Sequence, residues 1–182
     1  FAKNYLSFFN YLKLRVSGGI SGSQVLGNND WQPLFTATQY LEEPGITPSQ
    51  MGNVDLQWEQ TNSADVGIDY AILDSRLKGT IGTYLRDINN IIYMKGIPAS
   101  SAFTSIRQNI ASIRNTGIEF DFSYDLIRTK NTTFSVDFNI ARNIAVCKEI
   151  NGVDSVISLA AGTLNTMQLK EGEPIQQWIG YR

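Results

Sequence analysis

The segment TGIEFDFSYDL, residues 116–126, alternates strictly between apolar and polar side chains from its third residue onward. Ile118, Phe120 and Phe122 fall on one parity, whereas Glu119 and Asp121 fall on the other. Because successive side chains of a β-strand point to opposite faces, the segment predicts a strand with an aromatic face and an acidic face. Two environments suit such a strand. A soluble sandwich buries the aromatic face, and a membrane barrel turns it towards lipid.

Four further segments carry the same two-faced pattern. Clusters of Gly, Pro, Asn and Ser separate them, as expected for strands joined by turns and loops. The segments are YLKLRVSGGI, SADVGIDYAIL, RLKGTIGTYLRD and TTFSVDFNIAR. No long helical periodicity is present, and no run of about 18 apolar residues predicts a membrane-spanning helix. The sequence therefore predicts an all-β, antiparallel fold.

The composition argues against several classes of function. The formal net charge is −2, which does not indicate a nucleic-acid-binding surface. Histidine is absent, and Cys147 is the only cysteine, so the commonest general base, the commonest metal ligand and an intrachain disulfide are excluded. Pairs of carboxylates arise from the alternation itself, and no nucleophile stands beside a base. We expect no enzymatic activity, no cofactor and no metal site.

Two connections are short enough to be hairpin turns. In LDSRL, a turn of about two residues, Asp74 and Ser75, makes the apolar faces of the flanking strands coincide. The same register puts Asp69 diagonal to Lys78 on the polar face.

The second short connection is IRTKNTT. A three-residue loop at 129–131, with Asn131 in the left-handed conformation, puts Phe122 opposite Phe138. A register shifted by one residue on each strand would set Asp121 against Asp137, and two like charges directly opposed are destabilising.

The other connections are predicted to be long: residues 22–62, residues 89–113, and the stretch from Cys147 to the end. Loops beyond about 12–15 residues are uncommon in compact soluble domains. Short turns at one end and long loops at the other are typical of outer-membrane barrels. Each predicted strand also offers about ten residues, close to what a tilted strand needs to cross the apolar layer.

Several blocks resemble, in order and spacing, the late barrel region of SusC/RagA-type TonB-dependent outer-membrane transporters. They cover most of residues 11–182 and are LKLRVSGGISGS, GNVDLQWEQTNSADVGIDYAILDSRLKGTIGTYLRDINNIIY, IASIRNTGIEFDFSYDL and LKEGEPIQQWIGYR. The resemblance implies that residues 1–182 are one sector of a large antiparallel transmembrane β-barrel, with short periplasmic turns and long extracellular loops. It also implies that the signal, the plug domain, the TonB-binding segment and the closing strands are absent from this chain.

For function, the resemblance implies TonB-dependent import of an oligosaccharide or a peptide across the outer membrane of a Gram-negative bacterium. The implied partners are a SusD-like surface lipoprotein, the TonB complex (through a segment not in this chain), outer-membrane lipid, and the glycan or peptide itself. Two alternatives stay open, a soluble β-sandwich carbohydrate-binding module and a passive outer-membrane porin.

In a barrel the two parities have different surroundings. The apolar parity is predicted to face lipid: Ile68, Tyr70, Ile81, Ile118, Phe120, Phe122, Phe134, Val136 and Phe138. The polar parity is predicted to face the lumen, either as a solvated wall or in contact with substrate or plug: Asp65, Asp69, Lys78, Glu119, Asp121, Asp137 and Asn139. Four aromatic residues of predicted extracellular loops either contact ligand or a lid, or pack the loop itself: Trp31, Tyr40, Phe103 and Trp178.

Overall fold

The structure, a computed structural model, describes residues 8–24, 26–151, 156–161, 164–175 and 177–178. Its elements are β-strands, with a short 3₁₀ turn at Ala99–Ser101. The strands are β1 (Phe9–Ser23), β2 (Leu34–Tyr40), β3 (Glu43–Gln50), β4 (Glu59–Ile72), β5 (Leu77–Gly96), β6 (Ser105–Arg128), β7 (Thr133–Ile150), β8 (Val156–Ala161), β9 (Leu164–Lys170) and β10 (Gln177–Trp178). None of the helical segments in the described ranges has the length and apolar character needed to cross a membrane.

The main sheet has five strands in the order β1-β4-β5-β6-β7. Neighbours in this sheet are also neighbours along the chain, except that the β2–β3 hairpin is inserted between β1 and β4. A three-stranded sheet, β10-β9-β8, follows near the end of the chain. The outer strands of the main sheet are β1 and β7, and within the described residues the sheet does not close on itself. The predicted all-β antiparallel architecture is confirmed.

The chain divides into two compact units. Unit 1 comprises Phe1–Ile20, Asn62–Arg86 and Asn115–Ala145, and unit 2 comprises Ser21–Thr61, Asp87–Arg114 and Val146–Arg182. Unit 1 contains both hairpin turns, and unit 2 contains the long connections.

The first hairpin turn, between β4 and β5, has the predicted position. Leu73 O accepts a hydrogen bond from Arg76 N at 3.0 Å. Asp74 and Ser75 have φ angles of 54° and 61°, the positive values that a mirror-image two-residue turn requires. Leu73 also has a positive φ, 55°.

The register of this hairpin sets the charged pairs of the polar face. Thr80 Oγ1 donates to Asp69 Oδ1 at 3.2 Å, as the predicted register requires. Lys78 is on the diagonal, but the cation that binds Asp69 is Arg15 of the neighbouring strand β1. The diagonal Asp69–Lys78 pair is therefore not the ion pair that forms here.

The second hairpin turn, between β6 and β7, confirms the register but not the predicted backbone conformation. The Phe122 and Phe138 ring centroids lie 5.5 Å apart, so these residues face each other as predicted. Asn131 does not have a positive φ, and its predicted left-handed conformation is wrong. The backbone N–H of Thr129 donates to Thr132 O at 2.8 Å, and the Thr129 hydroxyl reinforces the turn because it donates to Thr132 O and accepts from Thr132 N, both at 3.1 Å.

Unit 1 is a single layer of strands, and its apolar face is exposed. The exposed fraction is 54% for Ile118, 49% for Phe138 and 58% for Ile140. A soluble sandwich would bury such side chains against a second sheet. The exposed apolar face therefore argues against the sandwich alternative.

Unit 2 has its own small apolar core. Cys147 is fully buried there, as a free thiol. The buried members of the cluster are Ile110, Ala111, Cys147, Ile150 and Leu169, and the half-buried Ile91, Tyr93 and Ile175 pack against them.

The predicted loop at 89–113 is largely strand. β5 continues to Gly96 and β6 begins at Ser105, so the connection is only 97–104. The strand was not predicted because it is irregular at Asn90. The φ angle of this residue is 59°, and its backbone carbonyl accepts a hydrogen bond from Asn109 Nδ2 at 2.7 Å. An irregular residue breaks the sequence alternation while the strands on either side continue to pair. The link 22–62 does contain a long connection, but the β2–β3 hairpin forms within it.

Candidate functional site

The polar face of unit 1 forms a cleft of about 150 Å³. Residues from β1, β4, β5 and β6 contribute to it because these strands are adjacent in the sheet. Its lining residues are Arg15, Ser17, Asp65, Val66, Gly67, Thr80, Gly82, Thr83, Tyr84, Glu119 and Asp121. Three of the predicted lumen-facing residues, Asp65, Glu119 and Asp121, are among them.

An ion pair between neighbouring strands lies at one side of the cleft. Arg15 donates to Asp69 Oδ1 through Nε at 3.1 Å and through Nη2 at 2.8 Å. Gly67 leaves room for the guanidinium, since a Cβ at that position would lie 3.1 Å from Arg15 Nη2. The pair is half-exposed, with side-chain exposures of 50% for Arg15 and 24% for Asp69, so it fixes side-chain positions more than it adds stability.

Tyr84 connects three strands across the middle of the polar face. Its hydroxyl donates to Asn143 Oδ1 at 3.1 Å, and Arg86 Cζ lies 4.9 Å from the ring centroid, a cation–π distance. The ring lies over Gly117, where a Cβ would overlap its atoms. Glycine is therefore required at residue 117 by the close approach of the tyrosine ring. Arg86 Nη2 also lies 4.0 Å from Asp65 Oδ1.

Two carboxylates of the cleft are not neutralised. Glu119 and Asp121 form no ion pair with any residue that the structure describes. Negative charge on β6 is thus available to a cationic group of a ligand or of another part of the protein. Three other predicted lumen residues are exposed at polar-parity positions of their strands but do not line the cleft: Lys78, Asp137 and Asn139.

The loop aromatics do not form one group. Trp31, 47% exposed, lines a broad groove of about 590 Å³ in unit 2 together with Trp58, which is 62% exposed. Phe103 is half-buried and lines a different groove, with Met94 and Arg107. The side chains of Tyr40 and Trp178 lie outside the described part of the structure. The sequence does not predict that Trp31 and Trp58 share a groove, because an irregular connection separates them.

The long connection of unit 2 is held by its own polar side chains. The Gln50 side-chain amide donates to the carbonyls of residues 29, 30 and 32 at 3.1, 3.1 and 2.9 Å. Asp30 Oδ2 accepts from Gly27 N at 2.8 Å, and Asp30 Oδ1 lies 2.6 Å from Arg107 Nη1. The Gly27 N–H and the Arg107 guanidinium hold the pKa of the Asp30 carboxyl below its ordinary value, against the opposing effect of desolvation.

Two further side-chain amides join this connection to β6. Asn53 Nδ2 donates to Arg107 O at 2.7 Å. Asn109 accepts from Gln57 N and donates to Gln57 O, both at 2.8 Å. These residues position the groove around Trp31, and no periodic pattern in the sequence distinguishes them from other loop amides.

Comparison with known proteins gives a consistent family assignment. The sequence model described as "TonB dependent receptor-like, beta-barrel" matches residues 11–165. A TonB-dependent receptor of Formosa agariphila is 32% identical over 178 residues, which is 97% of this chain and 17% of that protein. The TonB-dependent receptor SusC of Bacteroides thetaiotaomicron is 31% identical over 173 residues, which is 88% of this chain and 17% of that protein. The chain therefore spans less than a fifth of the length of these relatives.

Solved structures show the same fold. The structure titled "Structure of the RagAB peptide transporter" matches with a TM-score of 0.83 and 23% identity, over 97% of this chain and 20% of that chain. The "open-open" state of the RagAB peptide importer matches with a TM-score of 0.80 over 94% of this chain and 19% of that chain.

Proposed function

This chain belongs to the TonB-dependent receptor-like β-barrel family, and we propose that it forms part of an outer-membrane importer. The importer takes up an oligosaccharide or a peptide across the outer membrane of a Gram-negative bacterium. It acts with a SusD-like surface lipoprotein and draws energy through the TonB complex. The similarity to SusC supports import with a lipoprotein partner.

The observation that carries the proposal is the chemistry of the two faces of unit 1. One face exposes Ile118, Phe138 and Ile140, and the other carries the cleft with its charges. An exposed apolar face is costly in water and favourable in hydrocarbon, at about 25 cal/mol per Å². A polar face is compatible with an aqueous lumen. We therefore assign the apolar face to lipid and the cleft to the lumen.

The free carboxylates of the cleft then have a defined part in transport. Glu119 and Asp121 lie beside Arg15 and Tyr84, and the cleft presents charges, a phenol and hydroxyls to a polar solute. We assign these groups to contacts with the solute, or with the plug that blocks the lumen between transport cycles. Trp31 and Phe103 are assigned to contacts near the extracellular entrance, with ligand or with the lipoprotein.

Uptake by cells that express the full-length protein tests the proposal. We expect uptake of a labelled oligosaccharide or peptide to stop when the proton gradient is collapsed, because the TonB complex supplies the energy. Uptake that continues after the gradient is collapsed would instead identify a passive porin.

A charge-neutralised variant tests the part assigned to the cleft. The double variant Glu119→Gln, Asp121→Asn should change uptake while the barrel still reaches the outer membrane. Asp74→Asn is the matched control, since it removes a carboxylate at a turn residue with positive φ, a conformation that asparagine also adopts. Equal uptake in both variants would refute the assigned contacts without refuting import.

A further inference from the structure

The apolar face of unit 1 carries an arginine. Along β7 one parity runs through exposed apolar residues and then reaches Arg142, which is also exposed. The apolar members before and after it are Phe134, Val136, Phe138, Ile140 and Ile144. Between Phe134 and Ile144, Arg142 is the one charged residue on this parity.

Arg142 lies in a shallow groove between neighbouring strands. The groove has a volume of about 290 Å³, and its lining residues are Thr83, Thr116, Gly117, Ile118, Arg142 and Ile144. Thr83 Oγ1 is engaged, because it donates to Gly117 O at 3.0 Å. Thr116 Oγ1 is 3.5 Å from Ile144 O, at the limit for a hydrogen bond, so its O–H is free to turn to a better acceptor. The groove thus offers a guanidinium and a hydroxyl at the border of an apolar surface.

The charge of Arg142 is not balanced within the described residues, where it forms no ion pair. On the lipid side of a barrel, an arginine is strongly destabilising at the bilayer midplane and is tolerated near the interface. Arg142 is therefore favourable only at the depth of the lipid headgroups, where the phosphates lie. The planar guanidinium also matches phosphate oxygens in a two-point hydrogen bond.

We propose that the groove around Arg142 binds the phosphate of an outer-leaflet lipid headgroup, with the acyl chains lying along the apolar side chains next to it. Two observations identify a lipid as the source of the phosphate. The guanidinium supplies the complementary charge, and the exposed Ile118 and Ile140 extend the same surface with hydrocarbon. The proposal rests on the membrane placement given under the proposed function.

The test uses the full-length protein and lipid A as the probe. Native mass spectrometry measures the affinity of the detergent-purified barrel for diphosphorylated lipid A and for the same lipid without phosphates. We expect Arg142→Gln to weaken binding of the diphosphorylated lipid about 10- to 100-fold, as loss of a charged hydrogen-bonding group implies. Thr116→Val should give a smaller loss in the same direction.

Arg86→Gln is the matched control, because it removes the same charge from the opposite face. It should leave lipid binding within about twofold. Equal binding by wild type and Arg142→Gln would overturn the proposal, and so would equal binding of the lipid with and without phosphates. Full displacement of lipid by millimolar inorganic phosphate would overturn the lipid source. If the wild-type barrel does not enter the outer membrane, the proposed function is refuted. If the barrel inserts but binds the two forms of the lipid equally, only the lipid-binding proposal is refuted.

Discussion

The contact between Tyr84 and Gly117 gives a measurable prediction for the variant Gly117→Ala. A methyl group at residue 117 would overlap the tyrosine ring, so the ring has to move. The movement gives up the hydrogen bond to Asn143, worth about 0.5–1.5 kcal/mol, and the Arg86 contact, worth about 0.5–1 kcal/mol at an exposed site. Alanine recovers about 0.5–1 kcal/mol of the entropic cost of glycine in a strand. With some remaining strain, we expect the free energy of unfolding to fall by about 1–2 kcal/mol.

Gly82→Ala is the matched control, because the nearest heavy atom to a Cβ there is Val66 O at 4.0 Å. It should leave stability unchanged or raise it by about 0.5–1 kcal/mol. The assay is urea unfolding of the full-length barrel in lipid vesicles, followed by tryptophan fluorescence. The same substitution in a Tyr84→Ala background isolates the contact, since removal of the ring removes the clash. The reasoning is refuted if Gly117→Ala costs no more than Gly82→Ala, or if its cost persists without the ring.

Three further predictions address the two faces, the long connection and the buried thiol. Phe138→Arg should destabilise the full-length barrel in vesicles by about 2–4 kcal/mol if residue 138 lies near the midplane, and Asp121→Arg should cost much less. Equal costs would mean that the faces are misassigned. Asp30→Asn should reduce hydrogen-exchange protection in the long connection of unit 2. Because the pKa of Asp30 is lowered from an ordinary value of 3.8, the difference from wild type should persist from neutral pH to about pH 4 and disappear as the pH falls further. A difference that stays constant down to pH 2 would exclude the carboxylate as its cause. Cys147, 0% exposed, should resist maleimide in the folded protein and react after unfolding, and rapid labelling of the native barrel would contradict its burial.

The strands and their two faces were predictable because alternation is a local property. Ile118, Phe120 and Phe122 fall on one side of any straight strand, whichever strands lie beside it. The Phe122–Phe138 pair was also predictable, since a short turn fixes register and like charges exclude the shifted alternative. The conformation of Asn131 was not predictable, because the backbone and the side chain of Thr129 both bond to Thr132, and residue type alone does not specify these contacts.

The partners within the candidate site were less predictable than its position. The polar parity predicts that Asp65, Glu119 and Asp121 share one face, and all three line the same cleft. It does not reveal that Arg15 pairs with Asp69, because that requires knowing that β1 and β4 are neighbours across the long link. Nor does it reveal the contacts of Gln50 and Asn109, because side-chain amides in irregular segments can bond with any nearby backbone.

The adjacency of β1 and β4 has a consequence for how such proteins diversify. Residues 24–58 connect β1 to β4. These two strands are neighbours in the main sheet, and they hold the two ends of the insert. For a flexible loop, doubling the length costs only about 0.6 kcal/mol in closure entropy, so chain closure by itself sets little limit on the length of this insert. Evolution can therefore lengthen, shorten or exchange that insert between related genes while the strand order around it stays the same. An engineer who wants a new specificity can graft at the same two junctions.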